Sequence, residues 1–229
     1  MKFGIVTFPG SNCDDDMRYV LGDIMQQEVV SIWHKDTSLQ NVDMVVLPGG
    51  FSYGDYLRSG AIAKFSPIMT EIVKHAEKGG YVLGICNGFQ VLTESGLLPG
   101  ALLHNDNQKF ICKNVELLAI SESAGITKDL NKNESLTIPI AHGEGRFYAD
   151  SNAMKSILDN DQVLFKYCDK NGIVNESTNP NGSVNSIAGI CNRDKNVFGM
   201  MPHPERAADG YLSNTDGCKI FDSILNNCK

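Results

Sequence analysis

The first third of the chain alternates two patterns. Short apolar bursts of strand length occur at residues 3–8, 29–33, 44–47 and 81–85. Between them lie polar stretches whose apolar residues recur every three or four positions, as on one helix face. Asn12 to Asp16 supply capping residues and early-turn acids for a helix over Met17–Gln27. Ser66-Pro67 marks a second helix, with Ser as cap and Pro in the first turn, running to Lys78 before Gly79-Gly80. A third helix carries Phe89, Val91 and Leu92 directly after Tyr81–Ile85. Strands alternating with helices at this spacing predict an α/β fold of three layers, a mostly parallel central sheet with helices on both faces. In such folds ligands bind at the carboxyl ends of the strands, where Cys86 and Pro48-Gly49-Gly50 fall.

The second half is richer in strands: Val115–Ile120, Leu136–Ile140, Val163–Tyr167, Ser186–Cys191 and Val197–Met201 are predicted, with few helices between them. Asn179-Pro180-Asn181-Gly182-Ser183 is a turn signal that predicts a hairpin. The last helix, Gly217–Asn227, places Ile220, Phe221, Ile224 and Leu225 on one face. Ser121–Ser135 is polar without periodicity and is expected to be a mobile surface loop. No repeat, low-complexity tract or composition shift divides the chain, so one domain over residues 1–229 is expected.

Composition narrows the partners. A net charge of -7 without a Lys/Arg cluster argues against nucleic acid or an anionic membrane as the main partner. The seven cysteines are an odd number with no Cys-x-x-Cys, which predicts reduced thiols and a cytoplasmic location. The apolar start is too short for a secretory signal, and no run reaches membrane-spanning length. No Cys/His spacing matches a zinc site, so no metal is expected, and the phosphate-binding Gly-x-x-x-x-Gly-Lys motif is absent.

Two segments carry chemistry. In Gly84-Ile85-Cys86-Asn87-Gly88-Phe89-Gln90 a strand turns sharply into a helix, with glycines two residues before and after the cysteine. A nucleophile on such an elbow needs small neighbours, because backbone meets backbone there. A cysteine thiol is mostly protonated at neutral pH and needs a base or a helix N-terminus. His203 in Pro202-His203-Pro204-Glu205 is the candidate base, and Glu205 the group that orients it. Together they indicate a cysteine hydrolase. Oxyanion donors are expected from the backbone N–H of Gly50 or Phe51 together with that of Asn87. Gln90, one turn beyond Cys86, could meet substrate through its amide. The loop holding His142, Gly143, Glu144 and Arg146 could grip a zwitterion or form a salt-bridged turn. The other cysteines, and His34, His75 and His104, fit core or surface roles.

At these residues the sequence resembles the class I (triad) glutamine amidotransferases, whose signature is the Gly-x-Cys-x-Gly elbow with a later His-x-Glu. Phe51-Ser52-Tyr53-Gly54-Asp55, Gly96-Leu97-Leu98-Pro99-Gly100-Ala101-Leu102, His142-Gly143-Glu144-Gly145-Arg146-Phe147, Asn179–Ser183 and Met200–Arg206 extend the likeness over nearly the whole chain. Through them it resembles the stand-alone glutaminase subunits of phosphoribosylformylglycinamidine synthase. The resemblance implies a flavodoxin-like fold, glutamine as substrate, and a γ-glutamyl thioester on Cys86. It also implies ammonia delivery to a large synthetase subunit that uses ATP and Mg, and a small third subunit in the same complex, with no cofactor on this chain. The alternatives are an amidotransferase of another pathway, such as pyridoxal phosphate synthesis, and a non-catalytic interaction module. Phe51–Asp55 and Gly143–Arg146 weigh against the first, and an intact Cys86, His203 and Glu205 against the second.

Overall fold

The computed structural model describes residues 1–228. The chain opens β1 (Lys2–Thr7), α1 (Asp14–Tyr19), β2 (Glu28–Trp33), β3 (Met44–Leu47), α2 (Pro67–Glu77), β4 (Tyr81–Ile85) and α3 (Asn87–Glu94). It continues β5 (Ala101–Leu103), β6 (Ile111–Ala119), β7 (Leu136–His142), β8 (Arg146–Tyr148), α4 (Ser151–Asp159), β9 (Val163–Cys168), β10 (Ile187–Cys191), β11 (Val197–Met200) and α5 (Asp216–Asn227). Nine strands form one sheet in the order β2-β1-β3-β4-β11-β10-β9-β6-β7, and β5 pairs with β8 separately.

The sheet is mixed. From β2 to β11 every pairing is parallel, as the βα alternation predicts. From β11 to β7 every pairing is antiparallel, so the strand-rich second half extends the parallel sheet with the hairpin β6–β7 and the meander β9–β10–β11, joined where β9 lies beside β6. The central strands read as apolar runs because both faces are covered: all four residues of β3 and of β11 are buried. β11 returns from the second half to lie beside β4, with Met200 opposite Ile85. That crossover brings the two chemical segments to one strand edge.

Several helix boundaries move. α1 starts at Asp14, with three acids in its first turn favoured by the helix dipole, and after Tyr19 the chain widens into a π turn over Val20–Ile24. Ser66 stands at the cap position of α2, yet its hydroxyl bonds the Tyr53 hydroxyl at 2.9 Å and caps nothing. Pro67 at the first helical position and the buried stripe Ile68, Met69, Ile72 and Ala76 hold this helix instead. Burying the larger of these apolar side chains contributes about 1.5–3 kcal/mol each.

Two loop expectations are sharpened. Ser121–Ser135 is packed: Ser121, Ala124, Ile126 and Thr127 are wholly buried. Ser223 on α5 ties it down, donating to the Gly125 carbonyl and accepting from Asp129 N–H. Its polarity serves internal bonds, such as Lys132 Nζ to the carbonyls of Ser121 and Thr127. Asn179–Ser183 does belong to a hairpin, since β9 and β10 are antiparallel neighbours. It lies in a long connection between β9 and β10, and Asn181 is fully buried there. The short strands β5 and β8 and the helix α4, capped by Asp150, had no clear sequence signal.

Candidate active site

Cys86 is the cap residue of α3, at φ 49° and ψ −104°. This is unfavourable for a residue with a β-carbon, costing on the order of 1–3 kcal/mol. The surroundings impose it: Cys86 N–H donates to the Met200 carbonyl on β11 at 2.8 Å, and its own carbonyl accepts from Gln90 N–H. The glycines make the elbow possible. A β-carbon at Gly88 would stand 1.9 Å from the Leu47 carbonyl oxygen, and one at Gly84 2.7 Å from the Gly88 backbone. Cys86 is 5% exposed, so its thiol is reached only through a cavity of about 120 Å³ shared with Cys13, Gly50, Phe51, His203 and Arg206. A larger groove of about 560 Å³ beside Lys64, Phe65 and Glu94 has neither a cysteine nor a histidine in its lining, so the smaller cavity is the candidate site.

His203 follows β11 and is tied to β7 by its N–H to the Pro139 carbonyl, 2.8 Å. Its Nδ1–H donates to Glu205 Oε1 at 2.7 Å, in a pair that is 2% and 3% exposed. A carboxylate only accepts, so this bond uses Nδ1–H and leaves Nε2 as the candidate proton carrier. Nε2 has no partner among the described residues. Burial disfavours the imidazolium of His203, but Glu205 and then Cys86 outweigh it, and the pKa lies well above the usual histidine value. The fold therefore brings together the three residues named from the two motifs.

The oxyanion candidates separate. Gly50 pairs with Ser11 in an isolated antiparallel bridge, through bonds that its neighbours make: Phe51 N–H to the Gly10 carbonyl at 2.9 Å and Asn12 N–H to the Gly49 carbonyl at 3.4 Å. Phe51 N–H is thus spent, and its ring is half-exposed at the cavity mouth. Gly50 N–H and Asn87 N–H bond no group among the described residues. Gly50 sits at φ +143°, with a β-carbon position only 2.8 Å from the Asn12 nitrogen, so only glycine fits against this loop.

Gln90 does not reach the cavity as a free amide. Asn87 Nδ2 donates to Gln90 Oε1 at 2.9 Å, and Gln90 Nε2 donates to the Glu144 carbonyl at 2.6 Å. Asn87 Oδ1 accepts from Ser52 N–H, which joins the elbow, the loop after Gly50 and the loop after β7 in one network. His142 is buried, with Nδ1 3.0 Å from Asn105 Oδ1; burial first, and the charge of His203 second, push its pKa down to about 4. Gly143 accepts from Asn105 N–H through its carbonyl. These groups shape the loops around the nucleophile.

Asn105 had no sequence signal, because two of its partners, His142 and Gly145, lie far along the chain. Its side chain accepts from Gly145 N–H and donates to the carbonyls of Lys109 and His142, fully buried. Asn105→Ala is expected to lower unfolding stability by about 2–4 kcal/mol, because it strands several buried polar groups. A urea midpoint that moves by less than about 1 kcal/mol in free energy would show the network to be dispensable.

Comparisons with known proteins cover nearly the whole chain. Residues 1–219 match the family model described as the CobB/CobQ-like glutamine amidotransferase domain. A phosphoribosylformylglycinamidine synthase subunit PurQ from Nostoc sp. is 57% identical over 225 residues, 98% of this chain and 97% of that protein. The one from Aquifex aeolicus is 51% identical over 227 residues, 99% of this chain and all of that protein. Among solved structures, PurLQS from Thermotoga maritima superposes with a TM-score of 0.87 at 43% identity, covering 100% of this chain and 99% of that one. With its elbow cysteine, buried His–Glu pair and match to the family model over nearly its full length, this chain belongs to the CobB/CobQ-like glutamine amidotransferase family.

Proposed function

We propose that this chain is the glutaminase subunit of a phosphoribosylformylglycinamidine synthase, hydrolysing L-glutamine to glutamate and ammonia for a separate synthetase subunit. The observation that carries the chemistry is Cys86 at a strained elbow sharing one buried cavity with His203, whose Nδ1 is held by Glu205. The pathway rests on relatives at 51–57% identity that bear the name of that synthase subunit.

Cys86 Sγ attacks the side-chain amide carbon, and the amide oxygen gathers negative charge facing Gly50 N–H and Asn87 N–H. His203 delivers a proton to the amide nitrogen, the C–N bond breaks, and ammonia leaves. The γ-glutamyl thioester remains on Cys86. Water then attacks it, His203 takes the water proton, and glutamate departs with the thiol restored. Free ammonia in neutral water is protonated and no longer nucleophilic, so transfer requires contact with the synthetase. ATP and Mg act on that partner, and a small third subunit completes the assembly. No helix among the described residues is long and apolar enough to cross a membrane.

A glutamine-analogue electrophile tests the assignment on the isolated chain. Peptide mass mapping is expected to find Cys86 labelled at least about tenfold faster than the exposed Cys112, since a base and backbone donors attend only the first. Equal labelling of the two would overturn the reading.

A further inference from the structure

The catalytic histidine has a second sulfur beside it. Cys13, 2% exposed, ends the loop after β1, and its N–H bonds the Gly49 carbonyl at 3.3 Å. A β-carbon at Gly49 would lie 2.7 Å from His203 Cε1 and 3.0 Å from Cys13 Sγ, so ring and sulfur face each other across the smallest residue available. Cys13 Sγ, a ring nitrogen of His203 and a carboxylate oxygen of Glu205 all lie within 4.8 Å of one another. Two atoms of these residues, His203 Nε2 and Glu205 Oε2, are buried without a hydrogen-bond partner among the described residues.

We propose that Cys13, His203 and Glu205 form an inhibitory site for a soft divalent cation, zinc or cadmium, inside the active-site cavity. The donor chemistry fits: a thiolate, an imidazole and a carboxylate are zinc ligands, and two anions with one neutral donor balance a 2+ ion. Ligand atoms around a tetrahedral zinc stand about 3.3–3.7 Å apart, so closing the cluster requires shifts on the order of 1 Å. The fourth position faces the cavity. Binding forms three metal–ligand bonds and releases two protons to solvent, one from the Cys13 thiol and one from the His203 imidazolium, leaving a thiolate and a neutral imidazole as donors.

Arg206 supplies the support around the sulfur. Its Nη2 donates to Cys13 Sγ at 3.1 Å while its Nε is held by Asp16 at 3.1 Å. A thiolate sulfur has lone pairs for both a metal and this donor, so the guanidinium orients the ligand as outer partners do in metal sites. The cation engages both the imidazole and the carboxylate that steers it, which removes the proton carrier. That inhibitory consequence rests on the glutaminase reading; the binding does not.

Sequence spacing hides this site, since Cys13 and His203 are 190 residues apart and match no zinc pattern. Cadmium titration of the full chain, followed by sulfur-to-cadmium charge-transfer absorption, tests it without catalysis. Cys86→Ala is expected to keep the band and the affinity. Adding Cys13→Ser is expected to remove the band, and Glu205→Gln to weaken affinity at least about tenfold while leaving the band. In turnover assays, equimolar zinc is expected to suppress glutamine hydrolysis by the natural chain and to spare whatever rate Cys13→Ser retains without metal. A band that survives Cys13→Ser, or one lost with Cys86→Ala alone, overturns the proposal. Should Cys13→Ser fail to fold, unchanged affinity in Glu205→Gln overturns it equally. Cadmium binding at Cys13 in a chain without glutaminase activity would support the site and refute the functional reading.

Discussion

Cys86→Ala is expected to reduce glutamine-dependent turnover by about 10⁴-fold or more, while ammonia-fed synthesis by the partner subunit continues. The size follows from the role. Without the sulfur no thioester forms, and the remaining donors act only on direct attack by water, which this cavity is not built to favour. Alanine keeps the β-carbon, so it meets the same backbone strain at φ 49° that cysteine does. The fold loses only a weak contact, Cys86 Sγ to the Ala141 carbonyl at 3.7 Å. The thermal midpoint should hardly move. A variant that retains glutamine hydrolysis within tenfold of the natural chain would place the nucleophile elsewhere. Steady-state glutamate release, measured beside ammonia-dependent product formation in the assembled complex, separates lost chemistry from lost assembly.

Gly88→Ala should damage both folding and chemistry. Its β-carbon would fall 1.9 Å from the Leu47 oxygen and 2.6 Å from the Leu47 carbonyl carbon, both backbone atoms of a central strand. No side chain can rotate away. Relief to ordinary contact near 3.4 Å requires α3 to withdraw from β3 by roughly 1.5 Å, at a cost of about 3 kcal/mol or more. The same displacement carries Cys86 and Asn87 N–H away from His203 and Gly50, which should lower kcat/KM at least about 100-fold. Gly96→Ala is the control. Gly96 has φ +76° and open space around its β-carbon position, so that variant should lose about 1 kcal/mol from backbone conformation alone and keep its activity. Denaturant unfolding and glutaminase kinetics on both variants decide the matter, and a Gly88→Ala enzyme as active as Gly96→Ala would refute the close-approach argument.

The parallel half of the sheet was legible because its signals are local. Met44–Leu47 and Tyr81–Ile85 are strands with the boundaries their apolar runs predict, since a strand buried on both faces admits few polar residues. Ser121–Ser135 is a loop with exposed residues as expected, but its tight anchoring was not legible: some of its polar residues bond one another, Asp161 and α5, and nothing local distinguishes these from residues that face solvent. Gln90 illustrates the same limit. Its helical spacing from Cys86 was evident, but the Glu144 carbonyl that holds its amide is supplied by a distant loop.

The amino-acid sequence by itself singled out Cys86, His203 and Glu205 as the candidate nucleophile, base and orienting acid, because Gly84-Ile85-Cys86-Asn87-Gly88 and His203-Pro204-Glu205 each encode their local geometry within a few residues. It also determined the βα alternation that sets Cys86 at a strand's carboxyl end. Only the tertiary structure decided that Gly50 N–H stays free while Phe51 N–H is consumed, since the bridge to Ser11 selects which amide is spent. The tertiary structure alone brought Cys13 and Arg206 to the imidazole of His203. The physical reason is the same in both cases: these groups are joined by a parallel crossover and a loop contact, long-range packing that leaves no periodicity or spacing in the chain.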